Sequence, residues 1–101
     1  MRVTRTYNKK QAWDTLNFYD QETEVGILYA DLSSVSIQGH VYLFGISSFQ
    51  KGFGTKMIHY LRDTLHVKTL EGDADPDSIG FWNTFPHISW DEDSFTLVLK
   101  D

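Results

Sequence analysis

Gly52 and Gly54, two positions apart and directly ahead of an amphipathic run, are the residues whose type and spacing point most clearly to chemistry. A β-rich stretch ends at Phe44-Gly45-Ile46, a short loop comes next, and a helix is expected to begin at Gly54. The first four N–H groups of a helix have no intrahelical acceptor, and the helix dipole is positive at that end. Glycines let the chain turn tightly there and aim several amides at one point, a seat suited to a phosphate or pyrophosphate. Lys51 and Lys56 flank the loop, with Arg62 and Lys68 beyond it. The loop is therefore locally basic in a chain whose formal net charge is −5.

Other chemistries lack their residues. A dinucleotide fingerprint needs a third glycine where Met57 stands, and a Walker A loop needs Gly-Lys-Ser/Thr where the chain reads Gly54-Thr55-Lys56. The four histidines, at 40, 59, 66 and 87, have no zinc-ligand spacing, so no metal is expected. There is no Gly-x-Ser-x-Gly elbow, and with no cysteine there is neither a thiolate nucleophile nor a disulfide.

The 101 residues suit one domain spanning 1–101. Seven Phe, five Tyr and three Trp let so short a chain fill a core with few side chains. The acidic balance argues against a nucleic-acid partner. No apolar run reaches the roughly 18 residues of a membrane span. The opening Met1-Arg2-Val3-Thr4-Arg5-Thr6-Tyr7 lacks the apolar stretch of a signal peptide. The expectation is a cytoplasmic protein without a membrane partner. Asp91-Glu92-Asp93 reads either as a solvated loop or as an attraction for a basic acceptor.

Periodicity and turn chemistry give the elements that must position the loop. Residues 2–7 alternate as a strand. Asn8 could cap a short helix reaching Phe18, with Ala12, Trp13 and Leu16 on its apolar face. Residues 24–30, 35–37 and 40–46 read as strands joined by turns at 31–34 and 38–39, and Gly45 suggests a bulge. A helix over 54–66 buries Met57, Ile58, Leu61 and Leu65, and a strand over 67–72 comes after it. Asp75-Pro76-Asp77-Ser78 starts a further helix, which carries Ile79, Phe81, Trp82 and Phe85 and stops before Pro86. Residues 94–99 form the last strand. Strand, helix and strand through 40–72 predict a parallel crossover within an otherwise antiparallel sheet.

This order of elements, with a glycine loop opening the helix, resembles the GNAT superfamily of acyl-CoA N-acyltransferases over roughly residues 24–99. The family's loop reads Gln/Arg-x-x-Gly-x-Gly/Ala. Gly52 and Gly54 match its glycines, Phe49 stands at the Gln/Arg position, and Gln50 lies one place closer. In the later helix the family's Asn-x-x-Ala-x-x-x-Tyr is met by Asp75, Ser78 and Trp82. The resemblance implies an α+β fold, a mixed and mainly antiparallel sheet with helices on both faces.

It also implies acetyl-CoA as co-substrate, held by Phe44, Ile46, Gln50, Lys51, Gly52, Phe53, Gly54, Thr55, Lys56 and Ser78. The main chain of Phe44 and Ile46 would pair with the pantetheine arm, and Lys51 and Lys56 would add charge near the phosphates. Glu71 becomes the candidate base, with Asp73 next. Trp82 occupies the place of the family's acid, with Tyr42 and Tyr60 as hydroxyls that could substitute. The implied activity is N-acetyl transfer from acetyl-CoA to a primary amine of a small molecule or protein. The alternative is a GNAT-like domain without catalysis that binds coenzyme A or another protein. An exposed edge strand leaves room for a homodimer.

Overall fold

The structure, a computed structural model, describes residues 1–33 and 39–99. Seven strands form one sheet: β1 (Arg2–Asn8), β2 (Trp13–Asp20), β3 (Thr23–Asp31), β4 (His40–Ser48), β5 (Thr69–Asp73), β6 (Ile88–Asp91) and β7 (Ser94–Val98). Their order is β1-β2-β3-β4-β5-β7-β6. All neighbours are antiparallel except β4 and β5, which pair in parallel from His40↔Thr69 to Leu43↔Gly72. Helix α1 (Phe53–Asp63) makes the crossover between those two strands. A 3₁₀ turn (Pro76–Ser78) runs into the one-turn helix α2 (Ile79–Trp82). The α+β class and the mixed, mainly antiparallel sheet are as the sequence led us to expect.

The expected helix over residues 8–18 is instead a hairpin. The Asn8 capping signal is real but governs a single turn. The Asn8 carboxamide oxygen accepts from the Gln11 amide, and Ala12 N–H donates to the Asn8 carbonyl. Ala12 then adopts a left-handed φ of 58° and ends the turn. From there the period is two. Asp14, Leu16 and Phe18 are buried on one face, while Trp13, Thr15, Asn17 and Tyr19 are half-buried on the other. The pairing of β2 with both β1 and β3 outweighs a one-turn helical start. The strand expected at 35–37 lies outside the described residues.

Among the described residues both helices pack on the same face of the sheet, where helices on both faces had been expected. Met57 of α1 lies over Gly26 of β3, where an added Cβ would stand 2.5 Å from its sulfur. Gly54 of α1 faces the ring of Phe81 in α2. Trp82 stacks on Phe95 of β7 at 4.2 Å, and the Phe95 ring closes over Gly72 of β5. The core lies between these helices and Leu16, Phe18, Leu28, Ala30, Val41, Leu43, Leu70 and Leu97 of the sheet. The opposite face carries Trp13, Tyr29, Tyr42, Phe44, Glu71 and Asp73, none of them fully buried.

Helix α1 stops at Asp63, earlier than the expected His66, because the Thr64 and Leu65 amides both donate to the Tyr60 carbonyl and His66 takes a φ of 59°. The start at Asp75 is as expected. Its carboxylate accepts from the Ser78 amide, with Pro76 in the first position.

Candidate active site

Gly52 precedes α1 with a φ of 91°, a left-handed conformation that L side chains rarely adopt. No side chain caps this helix, and its first turn holds no acid. The Phe53 amide is spent on the Gln50 carbonyl at 3.3 Å. Among the described residues no acceptor is bonded to the amides of Gly52, Gly54 or Thr55. Three neighbouring donors at the positive end of an 11-residue helix are thus left without a protein acceptor among the described residues.

They open onto a cleft of about 450 Å³ lined by Ile46, Ser48, Phe49, Gln50, Lys51, Gly52, Gly54, Thr55, Asp77, Ser78 and Phe81. Seven of the ten residues expected to hold coenzyme A are brought together there: Ile46, Gln50, Lys51, Gly52, Gly54, Thr55 and Ser78. The other three are not on its lining. Phe53 is half-buried, Lys56 sits with its ammonium 4.6 Å over the Phe53 ring, and Phe44 projects from the opposite face of the sheet.

Ser48, Phe49, Asp77 and Phe81 line the cleft without having been expected to hold coenzyme A. The Ser48 hydroxyl donates to the Gln50 carbonyl at 2.6 Å, and the Phe49 amide donates to Val25 at 2.8 Å. These two bonds fix the loop to the sheet. Phe81 had a signal in Gly54, whose missing side chain admits the Phe81 ring: a Cβ there would lie 3.0 Å from it. Gly54 therefore serves helix packing as well as the cleft. Asp77 is the lining carboxylate, and it would face any anion placed on the loop. Asp77→Asn is expected to tighten binding of free coenzyme A by about two- to threefold, measured by calorimetry at low salt.

Beyond the Leu43↔Gly72 pair β4 and β5 part, and among the described residues β4 continues to Ser48 beside no strand on that side. The register with β3 jumps between Tyr29↔Gly45 and Ala30↔Leu43, so Phe44 is the extra residue of a bulge, next to the glycine that suggested one. The gap left between β4 and β5 beyond that pair is the slot. On the face opposite the helices the Tyr42 hydroxyl donates to Asp73 at 3.0 Å, and the Ser94 hydroxyl donates to the other Asp73 oxygen. The Ser94 and Tyr42 hydroxyls hold the Asp73 carboxyl below its usual range. The bond to Asp73 raises the Tyr42 phenol.

The lowered Asp73 favours folding above the ordinary carboxylate range and loses that contribution as pH falls through its folded value. The raised Tyr42 contributes below the ordinary phenol range and loses it as pH rises through its own. Tyr42→Phe should thus move the Asp73 titration toward higher pH, read by carboxyl-carbon NMR.

Glu71 lies one pair back, across from Tyr42, and its carboxylate is 3.1 Å from His40 Nε2. The other ring nitrogen, Nδ1, is 2.7 Å from the Thr69 hydroxyl. Trp82 is not at the slot. It is 2% exposed and stacked on Phe95, so it belongs to the core and is withdrawn from the catalytic set. Tyr60 is likewise packed, edge-on to Phe18 at 5.5 Å. Among the described residues no group of three or more His, Cys, Asp or Glu could hold a metal ion, and no helix is long and apolar enough to cross a membrane.

No family model matches the sequence, and no curated protein matches it. Solved structures do. The chain superposes on Tetrahymena GCN5 with a TM-score of 0.66 and 11% identity, covering 88% of this chain and 69% of that one. The chain has a GNAT-like fold.

Two further GNAT structures agree. The ribosomal-protein-S18-alanine N-acetyltransferase from Escherichia coli gives a TM-score of 0.60 at 13% identity, over 90% of this chain and 72% of that one. The Campylobacter jejuni N-acetyltransferase PseH gives 0.55 at 19% identity, over 89% and 69%, both alone and in complex with acetyl coenzyme A. The GNAT resemblance read from the loop and the element order is thus borne out at the level of fold.

Proposed function

We propose that this GNAT-like chain transfers an acetyl group from acetyl-CoA to a primary amine. The observation that carries this reading is the set of three unspent amides, at Gly52, Gly54 and Thr55, on residues that line a cleft with Ile46 of β4, the strand whose pairing with β5 ends at Leu43. The amides and Lys51 would hold the diphosphate. The unpaired side of β4 from Phe44 to Ile46 would bond the pantetheine amides and lay the thioester in the slot. Acetyl coenzyme A bound to a neighbour of the same fold supports this choice of co-substrate.

The reaction needs a neutral amine, a C–N bond formed as the C–S bond breaks, and a proton for the departing thiolate. One ammonium proton goes to a base, and the second N–H proton ends on the sulfur. Asp73, held ionised by two hydroxyls, is a weak proton acceptor but a good anchor for an ammonium. Glu71, 3.1 Å from His40 Nε2, is the candidate base. The raised phenol of Tyr42 stays protonated at neutral pH and can supply a proton at the slot. A thioester is already activated, so positioning accounts for much of the rate.

Thermal-shift titration with acetyl-CoA, followed by thiol release over a panel of primary amines, tests the proposal. A saturable rise in melting temperature together with thiol release is expected. Binding without release from any amine would favour a domain that holds coenzyme A without catalysis, a reading motivated by Phe49 at the family's polar loop position. No shift at millimolar acetyl-CoA would overturn both.

A further inference from the structure

The face of the sheet opposite the helices carries aromatic rings that no helix covers among the described residues. Trp13 of β2 lies 5.6 Å from Tyr29 of β3 and 4.9 Å from Phe44 of β4, and Phe44 lies 5.0 Å from Tyr42. Phe44 is 48% exposed. The bulge puts Phe44 and Gly45 together on this side, opposite Tyr29. Trp13, Tyr29 and Tyr42 are half-buried around the exposed Phe44, and a cluster of rings that is not fully enclosed is suited to binding an apolar group.

Carboxylates border the rings. Glu71 and Asp73 stand on the adjacent strand, and Asp73 also lines a shallow concavity with Asp75, Asp91, Glu92 and Asp93. No cationic side chain lines that concavity, and among the described residues Asp73 has hydroxyl partners only. The face is apolar at its centre and negative on the β5 side, where Glu71 and Asp73 stand.

We propose that this face seats the acceptor, and that the acceptor is a primary amine on an apolar body, its ammonium at Asp73 and its aliphatic or aromatic part across Trp13, Tyr29 and Phe44. The inference rests on the acetyl-transfer reading for the reaction but not for the binding. Charge complementarity selects a cation, and ring faces add to its attraction. The rings select an apolar body over a purely polar polycation. A second copy of the chain is a poorer occupant, since it brings the same acidic border to the interface.

The test uses 2-phenylethylamine as probe and the indole N–H signal of Trp13 as reporter, with spermidine as the polycationic comparison. Phenylethylamine is expected to shift the Trp13 signal saturably. Trp13→Ala and Asp73→Asn should each weaken it at least tenfold, the former read from the amides of Tyr29 and Phe44. Both variants should keep the acetyl-CoA thermal shift of the parent, which shows that they fold.

Spermidine binding more tightly than phenylethylamine, with no response to Trp13→Ala, would overturn the proposal. So would a dimer in sedimentation that buries the Trp13 signal. If acetyl-CoA binds and the amine does not, the acceptor assignment alone falls. If the amine binds and acetyl-CoA does not, the acyl-CoA reading falls and the amine site stands.

Discussion

Thr55→Pro is expected to cost at least tenfold in acetyl-CoA affinity while leaving the fold in place. Thr55 is the third residue of α1, and its amide has no protein acceptor. Proline is tolerated in the first turn of a helix because the N–H it removes is unspent there. The preceding residue is Gly54, which lacks the Cβ that would otherwise crowd the proline ring. The substitution thus removes one donor from the proposed diphosphate seat, together with the hydroxyl of a residue that lines the cleft. A hydrogen bond to a charged group is worth about 1.5–3 kcal/mol, which at about 1.4 kcal/mol per factor of ten gives the stated loss. Calorimetric titration of the variant measures it, and unchanged far-UV circular dichroism shows that the helix persists. Equal affinity in variant and parent would mean that this amide does not touch the ligand.

Trp82→Ala should lower stability by about 3–5 kcal/mol, the usual result of deleting a large buried aromatic. Trp82 is fully enclosed, stacks on Phe95 and touches the rings of Phe81 and Phe85. Little else ties α2 to the sheet, since the helix has only four residues. Against a total of about 5–15 kcal/mol for a domain, such a loss would lower the melting temperature by at least about 12 °C. Denaturant unfolding measures the difference. Trp82→Tyr separates packing from chemistry. A core tyrosine should restore part of the stability and leave any thiol release at its parent rate. A faster release on installing that hydroxyl would return position 82 to the active site.

The glycine loop, the bulge at Gly45 and the capped start at Asp75 are legible in the sequence because each depends on a few adjacent residues: a φ that favours glycine, an extra residue in a strand, a carboxylate three positions before an amide. The hairpin at β2 is not. Asn8 and Ala12 do form one helical turn, and only long-range pairing with β3 makes a strand of the residues after it. Nor is the face that each helix covers legible. It is set by Met57 against Gly26 and Trp82 against Phe95, contacts between residues far apart in the chain.

The candidate site divides in the same way. The amides and Lys51 come from one contiguous segment and can be found from it. Asp77 and Phe81 arrive through the tertiary approach of α2 to the loop. Glu71 and Asp73 can be picked out as acids near a strand end. Their different environments, one against His40 and one between two hydroxyls, come only from the register of β4, β5 and β7. The bare aromatic face results from the absence of a helix there among the described residues, which no pattern in β2, β3 or β4 announces.

The central claim is that the amides of Gly52, Gly54 and Thr55 grip a diphosphate. A titration of ¹⁵N-labelled protein with coenzyme A, with backbone amide signals as the readout, tests it most directly. The account predicts saturable downfield shifts that are largest at those three residues, with ADP, which carries the same diphosphate group, reproducing most of them. Shifts centred elsewhere, or none at saturating coenzyme A, would contradict it.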